Sequence, residues 1–256
     1  MLVQEKLSVR RACKLVSLPR SLVTYRKVKR DDSSLIDALH QLVEKHPTIG
    51  FWKCYYRLRR KGYTCNHKKL YRVYTTLRLN VRRRVKRRVP QRIKQPLLIP
   101  QGIDQGWSMD FVCDSLVDGR RFRLLNVIDD YNRECLAIEV DTSLPTLRVI
   151  RVLQRLLETR SKPMSIRVDN GPEFISDRLQ TWCDDQQIRL QFIQPGKPVQ
   201  NAFIERNNGS LRKELLDAYL FYTLQDVRIM AEEWREDYNC HRPHQSLGFV
   251  PPAEFI

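Results

Sequence analysis

The spacing of hydrophobic positions in this chain changes near residue 107. Before that point the apolar residues recur at helical intervals. In residues 8–29, "SVRRACKLVSLPRSLVTYRKVK", Ser8 can cap a helix carrying Val9, Ala12, Leu15 and Val16 on one face, and "SLPRS" breaks it before a second short helix. Residues 33–46, "SSLIDALHQLVEKH", place apolar side chains at 35, 36, 39, 42 and 43, and Pro47 stops the helix. "GFWKCYYRLRRKGY" predicts a further helix ended by Lys61-Gly62. "NHKKLYRVYTTLRL" predicts the next, with Leu70, Val73, Tyr74 and Leu77 inward and Lys68, Lys69, Arg72 and Arg78 outward. Short helices, tight turns and a final basic helix suggest a helix-turn-helix arrangement whose last helix can enter a major groove. Plain helical packing is the competing reading. Residues 82–96, "RRRVKRRVPQRIKQP", read as a cationic linker in which Pro90 and Pro96 block regular structure.

From residue 107 the pattern is strand-like. "WSMDFVCDSL" alternates, with Trp107, Met109 and Phe111 on one face and Asp110 on the other, and "VDGRR" signals a hairpin through Asp118-Gly119. "FRLLNVIDDYNR" and "ECLAIEVD" continue an antiparallel meander. "SLPTLRVIRVLQRLLETR" predicts a long helix opened by Ser143 and Pro145, "MSIRVD" a fourth strand and "PEFISDRLQTWCDDQQ" a helix starting at Pro172. "IRLQFIQ" is a fifth strand, and two longer helices follow around 200–219 and 223–240. The order is β-β-β-α-β-α-β-α, a mixed five-stranded sheet flanked by helices and preceded by an all-α region. The implied division is a helical region at 1–80, a basic linker at 81–100 and an α/β unit at 101–256.

Charge sharpens that division. Residues 1–100 hold 27 Lys and Arg against 5 Asp and Glu, whereas residues 101–256 hold 19 against 24. A basic half joined to a mildly acidic half points to a polyanion-binding portion attached to one with another task, and nucleic acid is the natural partner for the first. No apolar run approaches the roughly 18 residues needed to span a membrane. The charged start "MLVQEKLSVRRACK" has no signal-peptide apolar stretch, so a cytoplasmic, nucleoid-associated address is expected. Seven scattered cysteines with no Cys-x-x-Cys pair suit reduced thiols better than a disulfide framework. A zinc site from His40, His46, Cys54 and Cys65 matches none of the usual spacings.

The chemistry concentrates on carboxylates. In "SIRVDNGPEF", Asp169 ends an apolar strand and Asn-Gly-Pro follows; read alone, it is an ordinary turn residue. In an α/β sheet, however, ligands collect at the carboxyl ends of strands. If the first and fourth strands are neighbours, Asp110 and Asp169 meet, and two bare carboxylates at close range need a proton or a cation between them. Hard ions such as Mg²⁺ prefer oxygen ligands of this kind. "PGKPVQNAFIERNNGSLRKELL" offers Glu205 on a helix whose buried stripe is Ile204, Leu211 and Leu215. Glu205 lies about 100° round from that stripe, and Arg212, seven residues on, returns to its face.

The segments "WSMDF", "NVIDDYNRECLAIEV", "RVDNGPEF", "PGKPVQNAFIERNNGSLRKELL" and "YNCHRPHQSLGFVPPAEF" strongly resemble the integrase core of bacterial insertion-sequence transposases, in particular the IS-three family. That family's second reading frame encodes a core similar to retroviral integrases. The resemblance covers 101–256 and extends to 33–80, which is similar to the family's helical DNA-binding region. Asp169 and Glu205 have 35 residues between them, the separation of the family's D-D-35-E signature. The resemblance implies a ribonuclease-H-like sheet and Asp110, Asp169 and Glu205 as catalytic, metal-holding residues for Mg²⁺, with Mn²⁺ as a substitute. It implies DNA contacts from Arg212, and the basic segments add Lys68, Lys69, Arg72, Arg83 and Arg84; Lys197, in the loop before the glutamate helix, is a further candidate for the scissile phosphate. The activity implied is strand cleavage and strand transfer on double-stranded DNA at element ends by a homo-oligomer. The start at Met1 and stop at Ile256 fit a second-frame product that works with an upstream DNA-binding partner. A catalytically inactive repressor and a hydrolytic nuclease on the same fold are the alternatives. His241 and His244 are expected as helix-end and packing groups rather than metal ligands.

Overall fold

A ten-residue strand, β1 (Gly106–Ser115), runs through the middle of the sheet. The computed structural model describes residues 8–26, 31–81, 100–194 and 198–255. β1 turns at Asp118-Gly119 into β2 (Arg121–Asp129), Gly119 taking φ +86, which glycine reaches without a Cβ penalty. β2 pairs antiparallel with β3 (Cys135–Asp141). The chain then crosses through α6 (Thr146–Leu157) to β4 (Ser165–Val168), and through α7 (Asp177–Asp185) to β5 (Arg189–Phe192). Strand order is β3-β2-β1-β4-β5, with the β1–β4 and β4–β5 pairs parallel. The predicted mixed five-stranded sheet is therefore the observed one.

The alternation along β1 separates two cores. Trp107 and Met109 pack with Val149 and Leu153 of α6 and with Leu179 and Cys183 of α7, and Phe111 closes the edge of that cluster. On the other face Val112 packs against α8 (Ala202–Leu211), the turn after it, and α9 (Leu224–Glu236), through Leu211, Leu215, Val227 and Ala231. Each fully buried side chain of this size contributes roughly 2 kcal/mol. Asp110 belongs to the second face, under α8. Thr223 opens α9 with a reciprocal capping box to Asp226. Both α8 and α9 end in π-helical turns, Arg212–Leu216 and Asp237–His241; Asp217 N–H donates to the Arg212 carbonyl at 2.7 Å and Arg242 N–H to the Asp237 carbonyl at 2.9 Å.

The preceding helices are α1 (Val9–Leu15), α2 (Arg20–Thr24), α3 (Ser33–Lys45), α4 (Phe51–Arg60) and α5 (His67–Thr76). The last three enclose Leu39, Leu70 and Tyr74, at the predicted inward positions, together with Leu58 of α4. Gly62 ends α4 at φ +91, and the Asn66 side chain caps α5 by accepting from Lys68 N–H at 3.0 Å.

Two expectations fail locally. Pro172 does not start α7: residues 172–174 form a separate turn and the helix begins at Asp177. The cause is Phe174, which is drawn into the core and stacks on Phe111, so the chain must bend again before the helix. In α1 the predicted apolar face is largely uncovered, with Leu15 70% exposed and only Ala12 and Cys13 buried. Helices of seven and five residues cannot enclose a core of their own. Residues 82–99 of the basic linker, including Arg83 and Arg84, lie outside the described residues. No described helix is long and apolar enough to cross a membrane, and all seven cysteines are free thiols.

Candidate active site

Parallel pairing sets the first relationship. Gly106 lies opposite Ser165, Trp107 opposite Ile166 and Ser108 opposite Arg167. Two residues further along each strand stand Asp110 and Asp169, side by side at the point where β4 ends. Glu205 comes from the first turn of α8, which lies across β1 and β2. Ile204 and Leu211 are fully buried and Leu215 nearly so, as the predicted stripe requires, and Glu205 beside Ile204 stays exposed, near enough for its charge to be felt at Asp110.

Each aspartate is held by a specific bond. Asp110 Oδ1 accepts from Phe111 N–H at 2.8 Å, and its Oδ2 accepts from the Asn208 side-chain amide at 2.7 Å. Asn208 Oδ1 in turn accepts from Asn126 Nδ2 at 2.7 Å, and Asn126 is the β2 residue directly opposite Asp110. Asp169 Oδ1 accepts from Gly171 N–H at 3.0 Å, closing an Asx turn. The segment after it is clamped from below. Phe174 stacks on Phe111 at 4.9 Å, the Arg123 guanidinium covers the other side of Phe111 at 4.1 Å, and Arg123 pairs with Glu173.

The electrostatics record the crowding. Burial pushes the Asp110 carboxyl up to about 6, Asp169 and Glu205 push it further, and the bonds from Phe111 and Asn208 pull back. Burial also raises Glu205. A hard divalent cation would relieve that repulsion, and three carboxylates are the oxygen donor set such an ion prefers, so the residues fit the implied metal in kind. Among the described residues no three His, Cys, Asp or Glu side chains stand close enough together to hold a metal ion as they are. The zinc alternative likewise finds no cluster there.

The candidate DNA-contacting residues are dispersed. Arg212, at the end of α8, donates to the Cys113 carbonyl at 2.7 Å and faces Asp114 and Asp217, so it braces the far half of β1. Lys69 and Arg72 on α5 both pair with Asp32, at 3.2 and 2.7 Å, while Lys68 beside them is exposed. Lys197 lies outside the described residues. His244 packs edge-on against Tyr238 and burial lowers it to about 3; His241 sits exposed at a helix end. Asn126, Asn208 and Arg123 escaped the sequence reading because amides and a lone arginine carry no signature of acid–base or metal chemistry. The signal available for Asn208 was its spacing, three residues after Glu205 on one helix face.

An integrase core domain family matches residues 101–198 and, in a second model, 186–252; an HTH-like domain matches 29–87. The 31.7 kDa protein of insertion element IS407 from Burkholderia multivorans is 39% identical, over 99% of this chain and 92% of its own length. This chain belongs to the integrase-core family of insertion-element transposases. Another member, the 39.2 kDa protein of insertion element IS476 from Xanthomonas euvesicatoria, is also 39% identical, over 100% of this chain and 74% of its own. The transposase-family fold extends to a chain of the simian T-cell lymphotropic virus intasome in complex with PP2A regulatory subunit B56 gamma. That match has a TM-score of 0.50 at 15% identity, covering 86% of this chain and 73% of that one, and it speaks to fold alone.

Proposed function

We propose that this chain is a DNA transposase that cleaves and joins strands at insertion-sequence ends by metal-dependent phosphoryl transfer. The observation that carries the reading is the register of β1 and β4, which leads Asp110 and Asp169 to one strand end beneath the helix bearing Glu205. Asp110, Asp169 and Glu205 would hold divalent ions, Mg²⁺ or in its place Mn²⁺. Two such ions supply Lewis acidity, easing deprotonation of water or a 3′-hydroxyl and neutralising charge at the scissile phosphate.

The chain's own residues do the rest. Asn208 and the Phe111 N–H orient the Asp110 carboxylate, and the Asn170-Gly171 turn orients that of Asp169. Burial of Asp110 keeps bulk water from screening its carboxylate, which would strengthen its grip on a cation. Lys68, Lys69 and Arg72, with Arg83, Arg84, Lys197 and Arg212, would contact phosphates, which position the duplex but do not read its sequence. In this reading residues 1–80 bind DNA, 81–100 link, and 101–256 carry out the chemistry. The substrate is double-stranded DNA in the bacterial cytoplasm, held by a homo-oligomer that pairs two ends, with an upstream-frame DNA-binding product as a further partner.

The test is a pre-cut duplex with a 3′-hydroxyl end, incubated with Mg²⁺ or Mn²⁺ and either the wild type or Glu205→Gln. Joined products from the wild type alone support the proposal. Nicking without joining would move the assignment to a hydrolytic nuclease. DNA binding with neither reaction would mean a non-catalytic DNA-binding protein.

A further inference from the structure

The C-terminal motif "HRPHQSLGFVPPAEF" takes no part in the carboxylate site. It lies where the helical unit α3–α5 meets the sheet unit, and the contacts there are unusually specific. Arg57 of α4 makes a two-pronged pair with Asp237, at 2.9 and 2.5 Å, with side chains only 11% and 20% exposed. His46 Nε2 stands 3.2 Å from the same guanidinium. One turn earlier on α4, Lys53 faces Glu214 at 3.9 Å, and Glu214 also accepts from Trp234 Nε1 at 3.2 Å and from Arg242. Lys53 and Arg57 are four residues apart and so share one helix face.

Their two acidic partners share a rarer property. Glu214 lies in the π-helical turn that ends α8, and Asp237 begins the one that ends α9. Such turns make up well under 1% of residues in globular proteins and are frequent at functional sites. Here both serve the same partner helix. Burial opposes the charge on Asp237 and on Glu214, yet the facing cations prevail and lower both carboxyls.

The tail completes the contact. Phe249 stacks on Tyr56 of α4, with ring centroids 4.1 Å apart and planes within 16°. To do so it takes φ +67, directly after Gly248 at φ +68, a backbone region that strains a residue with a side chain. Five residues on, Glu254 receives both prongs of Arg60. Strain of this kind persists where surrounding contacts repay it, and here those contacts come from α4.

We propose that the two π-helical turns and the C-terminal tail form a docking seat for α4, which fixes the helical unit on the sheet unit in a single register. Paired charges suit that task better than apolar contact, because a misplaced helix leaves a charge buried and alone. The seat includes the far end of the helix that carries Glu205, so the placement of the helical unit and of that helix are set together. The seat takes no part in the carboxylate chemistry and holds the helical unit whatever reaction the site performs.

Hydrogen–deuterium exchange on the full chain tests it. Arg57→Met and Tyr56→Ala should each speed exchange in peptides covering residues 46–60 and 242–255 by about tenfold or more, with β1–β4 unchanged. The charge swap Arg57→Asp with Asp237→Arg should slow it again. Tyr56→Ala removes no charge and leaves the core of α3–α5 intact, so it keeps the test decisive if Arg57→Met unfolds the helical unit. Unaltered exchange of the tail in Tyr56→Ala overturns the proposal.

Discussion

Asn208 donates its side-chain amide to Asp110 at 2.7 Å and so ties the helix bearing Glu205 to the strand bearing the first aspartate. The same side chain accepts from Asn126, which is fully buried, so it cannot be trimmed without stranding a donor in the core. Asn208→Ala is therefore expected to lower stability by about 1–2 kcal/mol. Because it also frees the Asp110 carboxylate to rotate, joined product should fall by about 10–100-fold. Urea unfolding and the strand-joining assay measure the two effects separately; normal joining by a destabilised variant would confine Asn208 to a packing role.

Gly171 makes a different demand on the same site. A Cβ added there would sit 3.0 Å from Asp169 Oδ1, the atom that the Gly171 N–H holds in place. Gly171→Ala should cost about 1 kcal/mol of stability through overpacking. It should cut strand cleavage by about tenfold or more, since small misplacements at a reacting centre are expensive. A cleavage rate within twofold of wild type would show that the Asp169 carboxylate tolerates displacement.

The raised Asp110 carboxyl sets a pH dependence. Its value of about 6 lies above the ordinary 3.8, so the folded state binds that proton more tightly than the unfolded state does. Its contribution therefore favours folding at low pH and is lost as pH rises from about 4 to about 6. Asp110→Asn removes the buried charge and should stabilise the metal-free protein by about 1–2 kcal/mol at pH 7, with little gain at pH 4. Thermal unfolding with a chelator at the two pH values gives the answer, and an equal shift at both would exclude a charge effect.

Asp32 neutralises two cations of the proposed DNA-reading helix, Lys69 and Arg72. Asp32→Ala should release both for phosphate, raising non-specific duplex affinity and steepening the dependence of log K on log salt by about 1–2 units. Lys68→Ala should weaken binding and flatten that slope by about 1. Filter binding across a salt series reads both, and an unchanged slope in the two variants would place the duplex elsewhere.

The sheet was legible because β1 to β5 alternate cleanly or run apolar between turn residues, and their neighbours follow from connection rules. The adjacent placement of Asp110 and Asp169 was legible through that sheet, while the choice of these two and of Glu205 as site candidates rested on the resemblance to the integrase core. What escaped depends on contacts between distant segments. The start of α7 was misjudged because Phe174 answers to Phe111, sixty-three residues earlier, rather than to its own helix. The pairing of Arg72 with Asp32 bridges forty residues and gives no local sign. The exposed face of α1 was misread because spacing reports amphipathicity and not whether a partner exists to cover it.

The central position of β1 bears on when the site comes into being. Its hairpin with β2 involves neighbours in sequence and can close early, whereas its other edge waits for β4, more than fifty residues downstream. Contacts of such separation form late, because the intervening loop must first be closed at an entropic cost. Until then β1 shows an open edge, and Asp110 lacks both Asp169 and the helix that bears Asn208. A ribosome-bound chain thus acquires its three acids as a set only when folding is nearly done. If the proposed chemistry resides in these acids, a half-made protein cannot act on DNA.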